Sequence, residues 1–105
     1  MTRIKVDIDG GLPEEIGDRI WWTLRTMKLS VRWISYRRTR HGWHVEIEVA
    51  RRIHPWRVIA IQAVLGSDYR RETFNLRRTS QWSSLPAVAR DHWNVLFSRK
   101  IHISL

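Results

Sequence analysis

The stretch that decides the fold is VRWISYRRTRHGWHVEIEV, residues 31–49. Both of its halves are rich in β-branched and aromatic residues, and the TRHG segment between them is typical of a tight turn. We therefore predict two antiparallel strands, at about 31–38 and 43–49, joined as a hairpin. The second strand alternates strictly between two sets of residues, one apolar and one polar. The apolar set is Trp43, Val45, Ile47 and Val49, and the polar set is His44, Glu46 and Glu48.

The segment TRIKVDID, residues 2–9, shows the same alternation before the hairpin. Ile4, Val6 and Ile8 share one face, which predicts a strand that is buried on that side only. The opposite face carries charged residues, namely Arg3, Lys5, Asp7 and Asp9.

Helical spacing dominates three of the remaining segments. A stripe of Ile16, Ile20, Leu24 and Met27 predicts a helix over about 13–27, with Pro13 in its first turn. Trp21 and Trp22 cannot both lie on that stripe, so one of them should lie at its margin. A second helix is predicted from Pro55 to about residue 65, ended by Gly66. A third, over about 69–78, can be capped by Ser67 or Asp68.

The C-terminal part completes a recognisable element order. Residues 86–93 are compatible with a short helix, and the tail NVLFSRKIHISL (94–105) alternates in a way that predicts the last strand. The order is then β-α-β-β-α-(α)-β, which is typical of a ferredoxin-like or RRM-like α+β sandwich. In that arrangement the first and third strands lie side by side and antiparallel, and one face of the sheet stays open. At 105 residues we expect a single domain, 1–105.

Composition excludes several protein classes. The chain has no Cys, so disulfides and thiolate metal sites are excluded. It has no apolar run long enough to span a membrane and no leader typical of secretion. We therefore expect a cytoplasmic protein without a membrane partner.

Charge is distributed unevenly along the chain. Residues 1–18 carry five acids and two bases, whereas the rest carries seventeen bases and five acids. Arg outnumbers Lys sixteen to three, and the guanidinium group can both pair with phosphate and stack on bases. Since the bases far exceed the acids, most of them cannot be neutralised internally. This composition indicates a nucleic-acid partner and does not distinguish DNA from RNA; DNA is the one we expect.

Two segments concentrate these bases. The hairpin segment YRRTRH (36–41) interleaves cations with aromatic residues, a pattern that suits backbone contacts combined with base stacking. The predicted helix 69–78 carries four arginines on and beside one sector. The expected nucleic-acid contacts are Tyr36, Arg37, Arg38, Arg40, Arg70, Arg71, Arg77 and Arg78. Further bases could extend this surface, namely Arg3, Arg51, Arg52 and Arg99.

Pairing of the first and third strands would also bring their polar faces together. Carboxylates on neighbouring strands lie close enough to share Mg²⁺ or Mn²⁺, ions that bridge to substrate phosphates. This hypothesis names Asp7, Asp9 and Glu46 as metal ligands. In a simpler interpretation, Arg3 and Lys5 pair with the glutamates across the strands.

The segments VDID (6–9) and RHGWHVEI (40–47) resemble motifs of archaeo-eukaryotic primases and primase-polymerases. That family has an RRM-like core with an acidic D-x-D strand and a later strand bearing a nucleotide-contacting histidine. The resemblance implies metal binding by Asp7 and Asp9 and a nucleotide contact by His44. The family's third acidic motif has no match after residue 50. The whole chain, including LGSDYRRETFNLRR (65–78), is also similar to small proteins of archaeal viruses and plasmids.

Taken together, the sequence predicts a nucleic-acid-binding protein that acts in replication of a virus or plasmid. Two alternatives stay open. One is a metal-dependent nucleotidyl or phosphoryl transferase with Asp7, Asp9 and His44 as catalytic residues. The other is a structural homodimer whose exposed Trp residues form the interface. We favour binding over catalysis because the third acidic motif is missing.

Overall fold

The structure, a computed structural model, describes residues 1–80 and 93–94. Six elements follow one another within that part, in the order predicted for the first six. They are β1 (Thr2–Asp9), α1 (Ile16–Thr26), β2 (Val31–Arg38), β3 (Gly42–Val49), α2 (Pro55–Val64) and α3 (Tyr69–Ser80). The helix predicted over 86–93 and the strand predicted in the tail 94–105 lie outside the described residues, apart from Trp93 and Asn94.

The three strands form an antiparallel sheet in the order β1-β3-β2. The predicted pairing of the first and third strands is confirmed, with Val6 opposite Val45 and Lys5 opposite Glu46. β3 is central because the hairpin places β2 on its other side, with Ile34 opposite Ile47. The described part is thus a small α+β fold.

One hydrophobic core lies between the sheet and the helices. The alternating apolar residues of β1 and β3 all point into it, and so does the predicted stripe of α1. Alternation in a strand and spacing of three to four in a helix put these residues on single faces, which explains why the sequence identified them. The strands contribute Ile4, Val6, Ile8, Val45, Ile47 and Val49, and α1 contributes Ile16, Ile20 and Leu24.

The helix ends differ slightly from the predictions. α1 begins at Ile16 rather than at residue 13, because residues 13–15 form a turn in which the Ile16 amide donates to the Pro13 carbonyl (3.1 Å). α2 begins at Pro55 as predicted, and Gly66 follows its C-cap with φ +94°. α3 is capped by Asp68, whose Oδ1 accepts from the Arg70 amide at 2.8 Å. Both Trp21 and Trp22 are exposed, so neither lies on the apolar stripe.

Within residues 1–80 and 93–94, none of the helices combines the length and the apolar character that a bilayer crossing requires.

Candidate nucleic-acid interface

The two glutamates of the polar sheet face both have bases across the strands, and Glu48 forms ion pairs with two of them. Arg3 lies opposite Glu48, and the Arg3 Nε is 3.5 Å from Glu48 Oε1. The Nε of Arg32 is 3.6 Å from the second oxygen of Glu48. Lys5 lies opposite Glu46 in the same register. This arrangement agrees with the simpler of the two interpretations of this face, in which cross-strand charges of opposite sign pair.

His44 is held between Asp7 on β1 and Arg37 on β2. Its side chain is 4% exposed, its Nε2 lies 3.5 Å from Asp7 Oδ1, and its Nδ1 lies 2.9 Å from Arg37 Nη2. A guanidinium group can only donate, so Nδ1 must be the accepting nitrogen. While this contact holds, His44 is neutral and carries its proton on Nε2, directed at Asp7. The expected nucleotide contact by His44 is therefore wrong for this conformation, because its ring is buried.

The predicted metal ligands do not converge. In the part of the chain that the structure describes, no group of three His, Asp or Glu side chains could hold a metal ion. The strand register explains this result, because Asp9 lies opposite Gly42 and Glu46 lies opposite Lys5. The expectation of a Mg²⁺ or Mn²⁺ site at Asp7, Asp9 and Glu46 is corrected accordingly. Each acid has a different neighbour across the strands.

Burial raises the pKa of Asp7 above the ordinary value for an aspartate, and nearby acids add to that effect while Arg71 opposes it. Because the folded-state pKa is the higher one, Asp7 contributes stability below the pKa of the unfolded chain, near pH 4. That contribution is lost as pH rises through the folded-state pKa.

We predict that Asp7→Asn will become more stable relative to the wild type as pH rises from about 4 to 7. The amide has the same shape as the carboxyl group and keeps an oxygen that can face His44 Nε2, but it never has to be buried as an anion. Thermal unfolding of both proteins across this pH range measures the difference. A difference that stays constant with pH would show that Asp7 is not the titrating group.

Helix α3 turns a polar face toward the sheet and apolar side chains toward solvent. Its buried residues are Arg71, Glu72, Asn75 and Thr79. Phe74 and Leu76, which would face inward in an ordinary amphipathic helix, are 49% and 48% exposed. The buried polar residues of α3 face Gln62 of α2 and, through Arg71, the outer edge of β1, so they find hydrogen-bond partners on the inner side of the helix.

The outer backbone groups of β1 are bonded by side chains of this region. The Lys5 amide donates to Gln62 Oε1 at 2.8 Å, and the Lys5 carbonyl accepts from Arg71 Nη1 at 2.7 Å. The Asp7 amide donates to Ser67 Oγ at 3.0 Å. An edge strand leaves such groups unpaired unless another element covers them. At residues 5 and 7 these outer backbone groups are therefore not available for pairing with a further strand.

Glu72 lies at the centre of this buried network. Its two carboxylate oxygens accept from Gln62 Nε2 (2.8 Å), Ser67 Oγ (2.7 Å) and Asn75 Nδ2 (3.0 Å), and also from Arg71. Within residues 1–80 and 93–94, no buried side-chain nitrogen or oxygen lacks a hydrogen-bond partner. Because every group in this network is hydrogen-bonded, the bonds offset much of the cost of burying the Arg71–Glu72 ion pair.

The predicted nucleic-acid contact at Arg71 is wrong. Its side chain is 1% exposed and bonds to Glu72, Asn94 and the Lys5 carbonyl, so it cannot reach an external phosphate. Arg70, its neighbour, is exposed but forms an ion pair with Asp68 (3.2 Å).

The other predicted arginines of α3 lie at its C-terminal end. Arg77 is exposed and has no ion pair or side-chain hydrogen bond within residues 1–80 and 93–94. Arg78 is half-buried, and its Nη1 donates to the Trp93 carbonyl at 3.0 Å and to Asn75 Oδ1 at 3.4 Å. Arg77 is thus the better placed of the two to meet an external anion.

The hairpin presents its predicted residues to solvent. Tyr36 is 42% exposed, and Arg37, Arg38 and Arg40 are exposed as well. Arg37 is engaged with His44, whereas Arg38 and Arg40 have no side-chain partner in the described part of the chain. The hairpin and α3 lie at opposite edges of the sheet, because β2 flanks β3 on one side and α3 covers β1 on the other. A ligand that contacts both must span the sheet.

Further exposed bases lie at the end of the sheet opposite the hairpin. Arg51 and Arg52 follow β3, and Arg57 belongs to the first turn of α2, next to Trp56, which is 55% exposed. Trp56 Nε1 donates to Thr79 Oγ1 at 3.1 Å, so this turn lies beside the end of α3. Sequence reasoning included Arg51 and Arg52 but missed Arg57 and Lys28. The adjacent pair Trp56 and Arg57 at the start of α2 is the pattern that could have identified Arg57. No such pattern marks Lys28, which lies between α1 and β2.

Comparison of the chain with protein-family models, with curated proteins and with solved structures finds no match.

Proposed function

We propose that this protein binds nucleic acid through its exposed bases, foremost those of the hairpin end, with DNA as the expected ligand. The observation that carries the proposal is the set of exposed bases without an internal counter-ion. Within residues 1–80 and 93–94, these bases have neither a carboxylate partner nor a side-chain hydrogen bond nor a ring contact. They are Lys28, Arg38, Arg40, Arg51, Arg52, Arg57 and Arg77.

The hairpin is the strongest part of this surface. Arg38 and Arg40 flank a turn, where side chains extend freely, and the exposed ring of Tyr36 offers a face for base stacking. Guanidinium groups release counter-ions when they neutralise phosphates, so binding through them must weaken as salt rises. Arg77 and the bases around Arg57 would extend contacts along a long polyanion.

The transferase alternative has no supporting geometry in the described part of the chain. Asp7 lies close to His44, but in the described residues the acids are not arranged as metal ligands. We therefore propose a shared scaffold without catalysis, acting in the cytoplasm in replication of a virus or plasmid. The ferredoxin-like or RRM-like arrangement stays a prediction, because its fourth strand would come from the tail 94–105.

We expect the double variant Arg38→Ala, Arg40→Ala to bind DNA more weakly and with a shallower salt dependence. Each phosphate that the variant no longer neutralises lowers the slope of log K against log salt by about 0.9 for duplex DNA and about 0.7 for a single strand. Fluorescence anisotropy with labelled single- and double-stranded oligonucleotides from about 50 mM salt upward measures both quantities.

Arg19→Ala combined with Arg25→Ala is the matched control. It removes the same formal charge, but from arginines already engaged with Glu15 and with the Trp21 ring. We expect its affinity to stay much closer to that of the wild type. Equal reductions in affinity for the two double variants would indicate attraction by net charge alone. Absence of salt-sensitive binding by the wild type would reject the proposed function.

A further inference from the structure

The two edges of the sheet differ in whether other parts of the chain cover their outer backbone groups. The outer edge of β1 is closed by side chains of α2, α3 and the loop between them, whereas β2 pairs with nothing on its outer side within the described residues. Seven of the eight residues of β2 are exposed, and only Trp33 is half-buried. A free strand edge of this length is a template for pairing with another strand.

The register identifies which backbone groups face outward. In an antiparallel ladder, successive residues direct their backbone groups to alternate edges. Lys5 faces outward on β1, so its neighbour Ile4 bonds toward β3, and Ile47 opposite Ile4 bonds toward β1. Ile34 lies opposite Ile47 and therefore directs its amide and carbonyl away from β3. The same alternation directs those of Tyr36 and Arg38 outward.

The outward-facing residues also expose apolar side chains on the core side of the sheet. Ile34 is 38% exposed and Tyr36 is 42% exposed, although their partners Ile47 and Val45 are fully buried. An added strand with apolar residues opposite Ile34 and Tyr36 would therefore extend the core side of the sheet by one strand.

The charge of β2 indicates which kind of strand could pair with its outer edge. β2 carries Arg32, Arg37 and Arg38 and no acid; Arg32 is paired with Glu48 and Arg37 contacts His44, so Arg38 is the one without a side-chain partner in the described residues. Antiparallel pairing of β2 with β2 of a second copy would bring three bases of each strand together, which is unfavourable. A polynucleotide would satisfy the arginines but cannot donate to a ladder of carbonyl groups at strand spacing. An acidic polypeptide strand satisfies both requirements.

β3 shows which residues suit a strand that pairs with β2, because β3 already pairs with the inner edge of β2. It places Val45 and Ile47 on the core side and Glu46 and Glu48 on the polar side. We propose that the outer edge of β2 binds an extended, acidic segment of a partner protein by strand addition. The partner segment alternates apolar residues with Asp or Glu, as β3 does. This inference does not depend on nucleic-acid binding.

A synthetic peptide with the β3 sequence GWHVEIEV (42–49) is the probe, and titration by fluorescence anisotropy of the labelled peptide is the measurement. We expect saturable binding to the wild type and at least about tenfold weaker binding to Ile34→Pro, which lacks the outward amide and cannot accept a paired strand. Ile34→Ala keeps the amide and is the control. The inner ladder with β3 does not use this amide, so the variant also separates outer-edge binding from displacement of β3.

Two modified peptides test the proposal on the wild-type protein, in case Ile34→Pro does not fold. A peptide with both glutamates changed to lysine should lose binding if charge selects the partner. A peptide N-methylated at alternate amides should lose binding if the ladder forms.

Equal binding of all peptides, or equal affinity of Ile34→Pro and wild type, would overturn the proposal. So would a dimer in sedimentation that Ile34→Pro abolishes, because a second copy would then be the occupant. Because Arg38, Arg40 and Tyr36 are unchanged, DNA binding by Ile34→Pro reports separately on the proposed function.

Discussion

Replacing Arg71 with alanine is expected to lower the free energy of unfolding by about 3–5 kcal/mol. The guanidinium group lies in a buried site where it bonds to Glu72, Asn94 and the Lys5 carbonyl. Its removal leaves the Glu72 carboxylate buried without the cation that pairs with it. It also leaves the Lys5 carbonyl of β1 without its hydrogen-bond donor. Since small domains are stable by only about 5–15 kcal/mol, a decrease of this size would unfold a large fraction of the molecules under mild denaturation.

Urea denaturation followed by tryptophan fluorescence measures this change, and Arg70→Ala is the matched control. Arg70 is the adjacent residue in the same helix, but its side chain is exposed and interacts with Asp68 and the Tyr69 ring at the surface. We expect its unfolding midpoint to stay close to that of the wild type. Similar decreases in the two variants would show that the buried network does not hold α3 against β1.

Replacing Gly42 with alanine is expected to cost about 3 kcal/mol or more. Gly42 begins β3 opposite Asp9, and a Cβ atom built on it would lie 1.8 Å from the Ile8 carbonyl oxygen and 2.9 Å from the Ile8 carbonyl carbon. Both atoms belong to the backbone of β1, so no side-chain rotation can relieve the overlap. The strands would have to separate at the hairpin end, where Asp9 and the turn meet.

The control for this variant is Gly17→Ala in α1. An added Cβ there meets no atom within 4 Å, and alanine favours the helix by about 0.5–1 kcal/mol relative to glycine. Thermal unfolding should therefore shift down for Gly42→Ala and slightly up for Gly17→Ala. A Gly42→Ala variant as stable as the wild type would contradict the close approach of β1 and β3.

The candidate site could be predicted only in part. Exposure of Arg38 and Arg40 follows from their position at a turn, because loops lie on the surface. The neutral state of His44 could not be predicted, since it depends on Arg37 and Asp7, which lie on two other strands. The hypothesis of a metal site failed for the same reason. Strand pairing decides which side chains meet, and it placed a base, a glycine or the neutral His44 opposite each acid.

The sequence by itself determined the elements and their apolar faces. Alternation in β1 and β3 and the stripe of α1 are local patterns, and burial of apolar surface follows them directly. Only the tertiary structure decided the orientation of α3. Its two adjacent arginines are equivalent in the sequence, yet Arg71 is buried and Arg70 is exposed. The difference arises because Arg71 lies where it can donate to the Lys5 carbonyl at the edge of β1 and to Glu72, whereas Arg70 lies beside Asp68 at the surface. Buried polar groups require hydrogen bonds, so the polar side of the helix turns inward.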